Sequence, residues 1–126
     1  MIESYFHQID ELIARTPIVS ASSITYDKRS PYIGFIRASL YFVDGTVLHF
    51  REFVNVHHNI ERYMYVYQYQ NADGTLVFRY DNTPHFPNLS TFPHHKHHDS
   101  EMNVTAAISP NLESVLAEIH SLMIAR

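Results

Sequence analysis

The chain has 126 residues, 45% of them apolar and 17% charged, enough for one domain, residues 1–126, with its own core. Thirteen Asp and Glu against nine Lys and Arg leave a formal charge of −4, which excludes a uniformly basic nucleic-acid coat. With no cysteine, disulfides, thiolate metal sites and a cysteine nucleophile are excluded. No apolar run nears the roughly 20 residues that span a bilayer. The opening Met1-Ile2-Glu3-Ser4 lacks the basic segment of a secretory signal, so a cytoplasmic location is expected.

Ile2, Phe6, Ile9, Leu12 and Ile13 recur at helical spacing and predict a helix over 3–15, stopped ahead of Pro17. Five β-rich runs follow, at 18–26, 33–42, 46–56, 62–70 and 75–80, dense in Ile, Val, Tyr, Phe and Thr. Asp-Gly-Thr recurs at 44–46 and 73–75, and Asp-Gly between such runs marks a hairpin. After Ser109-Pro110 an apolar stripe of Leu112, Val115, Leu116, Ile119, Leu122 and Met123 predicts a second helix, with Ser109 as its N-cap. The expected fold is α+β: an antiparallel β-sheet of five or six strands with N- and C-terminal helices packed on one face.

Hairpin register decides which side chains share a face. A three-residue loop with Gly45 in the left-handed region pairs Leu40 with Leu48 and Ala38 with Phe50. That gathers Ile36, Ala38, Leu40, Phe42, Leu48, Phe50 and Val54 on one side. Arg37, Ser39, Tyr41, His49 and Arg51 then occupy the other. The same loop at 71–75 pairs Tyr69 with Val77, Tyr67 with Arg79 and Tyr65 with Asp81. Tyr63, Tyr65, Tyr67 and Tyr69 are thus expected beside Arg79 on an open face. Glu52 falls on the apolar side, either partnered by an arginine or turned outward by a bulge.

Ten histidines are present, eight of them between His49 and His98. The densest stretch is FRYDNTPHFPNLSTFPHHKHH, residues 78–98, a long polar, proline-punctuated loop of the kind that carries function. Three chemistries fit it. Imidazoles at alternate positions, His95 with His97 or His94 with His98, suit a transition metal, although Lys96 among them repels a dication. Metal-free RNA cleavage needs a base for the ribose 2′-hydroxyl, an acid for the departing 5′-oxygen and cations for the phosphorane charge. Histidine suits both proton roles, with Arg37, Arg51, Arg79 and Lys96 as cations and tyrosines for stacking bases. The third alternative is an ordinary sheet surface of paired tyrosines and solvated ion pairs.

From Arg79 to His98 the sequence RYDN-x-PHFPNLSTFPHHKHH resembles the signature of the TumE family of bacterial toxin components. There a segment like R-[WY]-D-N-x-P-H-H leads to F-P-H-H-K-H. The strands HFREFV (49–54) and ERYMYVYQY (61–69) extend the similarity. Phe86 stands where the pattern has a second histidine, leaving His85 to carry that position. The resemblance implies a small toxin encoded beside an antitoxin that binds and silences it.

Taken with the residue chemistry, the expected function is a toxin acting on RNA by histidine acid–base cleavage, a metal-independent endoribonuclease. His95, His97, His85, Lys96 and Arg79 are the expected catalytic residues; Arg37, Arg51, Tyr65, Tyr67, Tyr80 and His94 are the expected RNA contacts. No cofactor and no metal are expected. The alternatives are an inhibitor that binds nucleic acid without cutting it, and a histidine-ligated metal-dependent nuclease. The expected partners are the cognate antitoxin and RNA, with a homodimer left open and no membrane.

Overall fold

Every second residue along 33–42 and 47–55 turns to one sheet face, and the apolar side chains buried there make it greasy: Ile36, Ala38, Leu40 and Phe42, then Leu48, Phe50 and Val54. The computed structural model describes residues 1–126. Helix α1 (Ile2–Ala14) precedes strands β1 (Val19–Lys28), β2 (Ile33–Phe42), β3 (Val47–Asn55), β4 (Glu61–Gln70) and β5 (Leu76–Asp81). Strands β6 (His95–His98) and β7 (Val104–Ala106) and helix α2 (Leu112–Ala125) complete the chain. All neighbours pair antiparallel, in chain order, so the sheet has seven strands rather than five or six. The two extra strands are only four and three residues long. The composition of β6, His-Lys-His-His, carries no β signal; it is a strand because the edge of β5 holds it there.

Both helices lie on the greasy face and share one cluster of 20 buried residues with it. Helix α1 approaches β2 closely at Gly34, where a Cβ would stand 2.5 Å from Phe6 Cζ. Helix α2 is capped by Asn111 and Ser114, which exchange side-chain and backbone hydrogen bonds in a capping box. Ser109, the expected cap, instead accepts a 3.0 Å hydrogen bond from Arg62 Nη2.

The hairpin at 44–46 has Gly45 at φ 88° and pairs Leu40 with Leu48 and Ala38 with Phe50, as expected. At 73–75 the turn is the same, with Gly74 also at φ 88°. One pair further on, a β-bulge shifts the ladder: Gln70 opposes Leu76 but Tyr69 opposes Phe78, leaving Val77 as the extra residue. Its carbonyl accepts from Asp99 N at 2.9 Å. Tyr67 therefore opposes Tyr80, and Gln68 opposes Arg79. This overturns the expected tyrosine stripe, because one inserted residue reverses which side chains share a face. Tyr65, Tyr67 and Tyr69 lie beneath the helices, at most 1% exposed. Only Arg79 and Asp81 keep to the open side.

A second bulge leaves Tyr63 unpaired, with Phe53 opposite Met64 and Val54 opposite Arg62. It sends Arg62 inward, where Nη1 donates to Tyr67 Oη at 2.8 Å and the guanidinium lies 4.7 Å from the centre of the Tyr65 ring. Glu52, fully buried, accepts hydrogen bonds from the Tyr5 and Tyr67 hydroxyls. The Glu52–Tyr67–Arg62 chain settles why an acid sits in the core: the tyrosine relays the arginine to it.

Candidate functional site

Ladder register lines up two rows of side chains across the uncovered face. One runs Arg37, Arg51, Val66, Asp81, His95; the next runs Ser39, His49, Gln68, Arg79, His97. The rows converge on Asp81. Its Oδ1 accepts from the backbone N–H of Thr83 (3.0 Å) and the Thr83 hydroxyl (2.8 Å), and lies 2.9 Å from His95 Nε2. Its Oδ2 accepts from Arg79 Nε at 3.0 Å and lies 3.6 Å from His97 Nε2. Burial pushes this carboxyl up, but the two Thr83 hydrogen bonds, His95 and Arg79 outweigh it and hold the group below the usual carboxylate range.

The imidazoles are oriented from behind. Nδ1 of His95 faces the Pro93 carbonyl at 3.0 Å, and Nδ1 of His97 faces the Glu101 carbonyl at 2.8 Å. Each Nδ1 must carry a proton to bond a carbonyl, so both Nε2 atoms are directed at the carboxylate side. They differ there. His95 Nε2 meets an acceptor, Asp81 Oδ1, at 2.9 Å. His97 Nε2 meets a donor, Arg79 Nη2, at 3.1 Å. The Arg79 guanidinium is itself held by Glu101, with Nη1 and Nη2 each 2.6 Å from a carboxylate oxygen.

Asp81, His95 and His97 each bring a ligand atom within 4.8 Å of the others, a set able to hold one metal ion. The Arg79 guanidinium now provides positive charge at that place. Phe86 covers the pair of histidines, its ring centre 4.8 Å from that of His95 and 6.0 Å from that of His97. His95 is 1% and His97 3% exposed.

On β2 and β3, Arg37 and Arg51 stand directly opposite each other, and neither has a carboxylate within ion-pair distance. Like charges in that position repel. With Ser39, His49, Val66 and Gln68 they line a shallow cavity of about 280 Å³. His49 Nδ1 bonds the Ser39 hydroxyl at 2.7 Å. Neighbouring strands are about 4.8 Å apart, so Arg51 sits roughly 10 Å from Asp81 along its row.

The other expected site residues lie elsewhere. Lys96 points to the helix side, 2.6 Å from Glu118 and against the Tyr80 ring. Burial opposes its charge, yet Glu118 and Tyr80 raise its pKa above the ordinary lysine value. Tyr80 bonds the same Glu118 at 2.6 Å. His94 stacks on Tyr65, with Nδ1 2.8 Å from its hydroxyl; burial first, then Arg62, lowers its pKa. Tyr65 and Tyr67 are in the core, and His85 is exposed on the loop. His98 bonds Thr105 at the short outer strand. A second cavity of about 550 Å³, between the helices and Arg62, is on the opposite side from the histidines.

Sequence reasoning missed Thr83, Glu101 and the covering role of Phe86, and placed Asp81 only as a cross-strand neighbour of Tyr65. One signal was available. Asp44–Thr46, Asp73–Thr75 and Asp81–Thr83 all make the same pair of bonds, from the threonine N–H and hydroxyl to the aspartate two residues earlier. Asp-x-Thr occurs three times, and the third copy is the one at the site.

Fold and site together define an α+β protein whose open antiparallel sheet carries a buried carboxylate–imidazole–guanidinium centre on its uncovered face. The chain belongs to the TumE family: the family model described as Toxin TumE matches residues 9–123, from within α1 to within α2. It is thus a toxin by family, and a toxin of this kind points to an antitoxin partner. No curated protein and no solved structure matches the chain. No helix is long and apolar enough to cross a membrane.

Proposed function

We propose that this toxin acts on RNA in the cytoplasm, as a metal-independent endoribonuclease whose working groups are His97, His95, Arg79 and Asp81. The observation that carries the reading is the differing hydrogen-bond environment of two adjacent imidazoles. His97 Nε2 faces the Arg79 donor and His95 Nε2 faces the Asp81 acceptor, an arrangement that suits the first to the role of base and the second to that of acid in RNA transesterification. In the reaction, His97 Nε2 takes the 2′-hydroxyl proton as O2′ bonds to phosphorus. The P–O5′ bond breaks and His95 Nε2–H protonates O5′, leaving a 2′,3′-cyclic phosphate and a 5′-hydroxyl. Arg79 stabilises the charge on the phosphorane oxygens, and Arg37 and Arg51 hold neighbouring phosphates. Phe86 must swing away for RNA to reach these groups. Its loop, 82–94, makes few backbone hydrogen bonds, among them His85 N to Thr83 O, Leu89 N to Phe86 O and His94 N to Thr91 O.

Incubation of purified protein with RNA in EDTA tests this. Cyclic-phosphate ends, abolished in His97→Ala and His95→Ala variants that keep the wild-type circular dichroism, are the expected result. A specific observation favours a second reading, a metal-dependent nuclease: the convergence of Asp81, His95 and His97, each imidazole braced through Nδ1 as metal-bound histidines are. Cleavage abolished by EDTA and restored by a divalent transition metal selects that reading. Salt-sensitive RNA binding without cut products selects a non-catalytic inhibitor.

A further inference from the structure

We infer that Tyr63, Phe53 and Phe35 form a stacking platform for the unpaired bases of single-stranded RNA, beside the phosphate-holding Arg37–Arg51 pair. The inference rests on the RNA reading above and narrows its substrate class. Phe35 and Phe53 are direct cross-strand partners, two residues along from Arg37 and Arg51 on the same face. Their ring centres are 6.4 Å apart, and Tyr63 lies 5.6 Å beyond Phe53. No helix covers this side, and Tyr63 is 49% exposed.

Tyr63 reaches that face only because it is the extra residue of its bulge; regular alternation would place it with its neighbours on another footing. Bulges re-aim side chains in this way. Asn82 holds the bulge open. Its Oδ1 accepts from Tyr65 N at 3.0 Å and its Nδ2 donates to Tyr63 O at 3.2 Å, satisfying both backbone groups that flank Met64. Asn55 Nδ2 donates to the Tyr63 hydroxyl at 2.8 Å and fixes the ring. An asparagine next to the buried aspartate of the site thus sets the orientation of an aromatic ring one strand away.

Charge complementarity names the occupant. Two arginines face each other with no carboxylate to neutralise them, and Asp27, at the near end of the aromatic row, is already paired with Arg29 at 2.9 Å. A polyanion relieves that repulsion. Aromatic rings flanking the cations take flat π-faces, which single strands offer and duplexes hide.

The experiment is fluorescence anisotropy with a labelled mixed-sequence oligonucleotide whose riboses are all 2′-O-methylated, so that it binds and cannot be cut. It is used as a single strand and as a perfect hairpin. The single strand is expected to bind at least tenfold tighter. Tyr63→Ala and Asn82→Ala should weaken it roughly five- to hundredfold, and Tyr63→Phe, which keeps the stacking ring and loses only the hydrogen bond from Asn55, should weaken it less than Tyr63→Ala does. Equal affinity for strand and hairpin, or wild-type binding by Tyr63→Ala and Phe53→Ala, overturns the platform. So does a face that captures an antitoxin peptide but no oligonucleotide. If Tyr63→Ala still cleaves natural RNA with wild-type kcat/KM, the platform fails and the RNA reading stands. If the wild type neither binds nor cleaves RNA, both fail.

Discussion

Replacing Asp81 by asparagine removes one charge and no volume, which isolates the electrostatics of the site. In the native protein this carboxylate, 3% exposed, receives Thr83 N–H, the Thr83 hydroxyl and Arg79 Nε–H and faces His95 Nε2. The amide of Asp81→Asn keeps one acceptor oxygen and turns an NH2 toward donors. His95 Nε2 then faces no carboxylate, while Arg79 keeps Glu101. Losing a charged acceptor from a buried hydrogen-bond cluster costs about 1.5–3 kcal/mol, which for a chain of this length lowers Tm by on the order of 5–15 °C. The pH dependence carries a sign. Because the Asp81 pKa is depressed in the fold, its stabilisation is complete above the ordinary carboxyl value near 4 and is lost as pH falls through the lower folded-state value. Urea titrations of wild type and Asp81→Asn across acid pH should show a gap that narrows toward low pH. A Tm within roughly 3 °C of wild type at pH 7, or a gap that widens on acidification, would refute the assignment of Asp81 as the electrostatic keystone.

Arg51→Gln should move stability and binding in opposite directions. Relief of the cross-strand repulsion with Arg37 raises stability by up to about 1 kcal/mol in urea, while RNA affinity falls and the log–log salt slope decreases by about one. Lys96→Met should leave RNA cleavage at the wild-type rate, since its ion pair with Glu118 is on the helix side; a large loss of cleavage would place Lys96 at the chemistry after all. The depressed pKa of His94 means the unfolded chain binds a proton that the fold rejects, so stability should drop as pH falls through about 6.5. His94→Gln should flatten that part of a thermal-melt pH series, and an unchanged slope would contradict the burial of His94 against Tyr65.

The helices, the first five strands and the β2–β3 register were legible because each rests on local signals: a 3.6-residue stripe, strict alternation, and Asp-Gly turns. The tyrosines of β4 were misplaced because the turn at 73–75 is regular and the irregularity lies at Val77, where no glycine or proline marks it. The bulged Val77 bonds Asp99, 22 positions away in the chain, and no local pattern encodes that. Strand β6 was hidden for a similar reason, being shaped by its neighbour. Within the site, His95, His97 and Arg79 were readable from spacing on a shared face. Glu101 was not, because it reaches Arg79 from a turn whose position depends on β6 existing.

The bulge at Val77 acts as a parity switch. Every side chain from Phe78 onward, through β6 and β7, inherits its side of the sheet from that single uncompensated residue. Removing it, or adding one between Asp73 and Asp81, would exchange Arg79 and Asp81 for Phe78 and Tyr80 and drive the ionic groups into the oily interior. The hairpin is thus intolerant of length change by one, whereas the stretch from Pro84 to Ser90, which crosses no ladder, is free to vary without disturbing which way the imidazoles look.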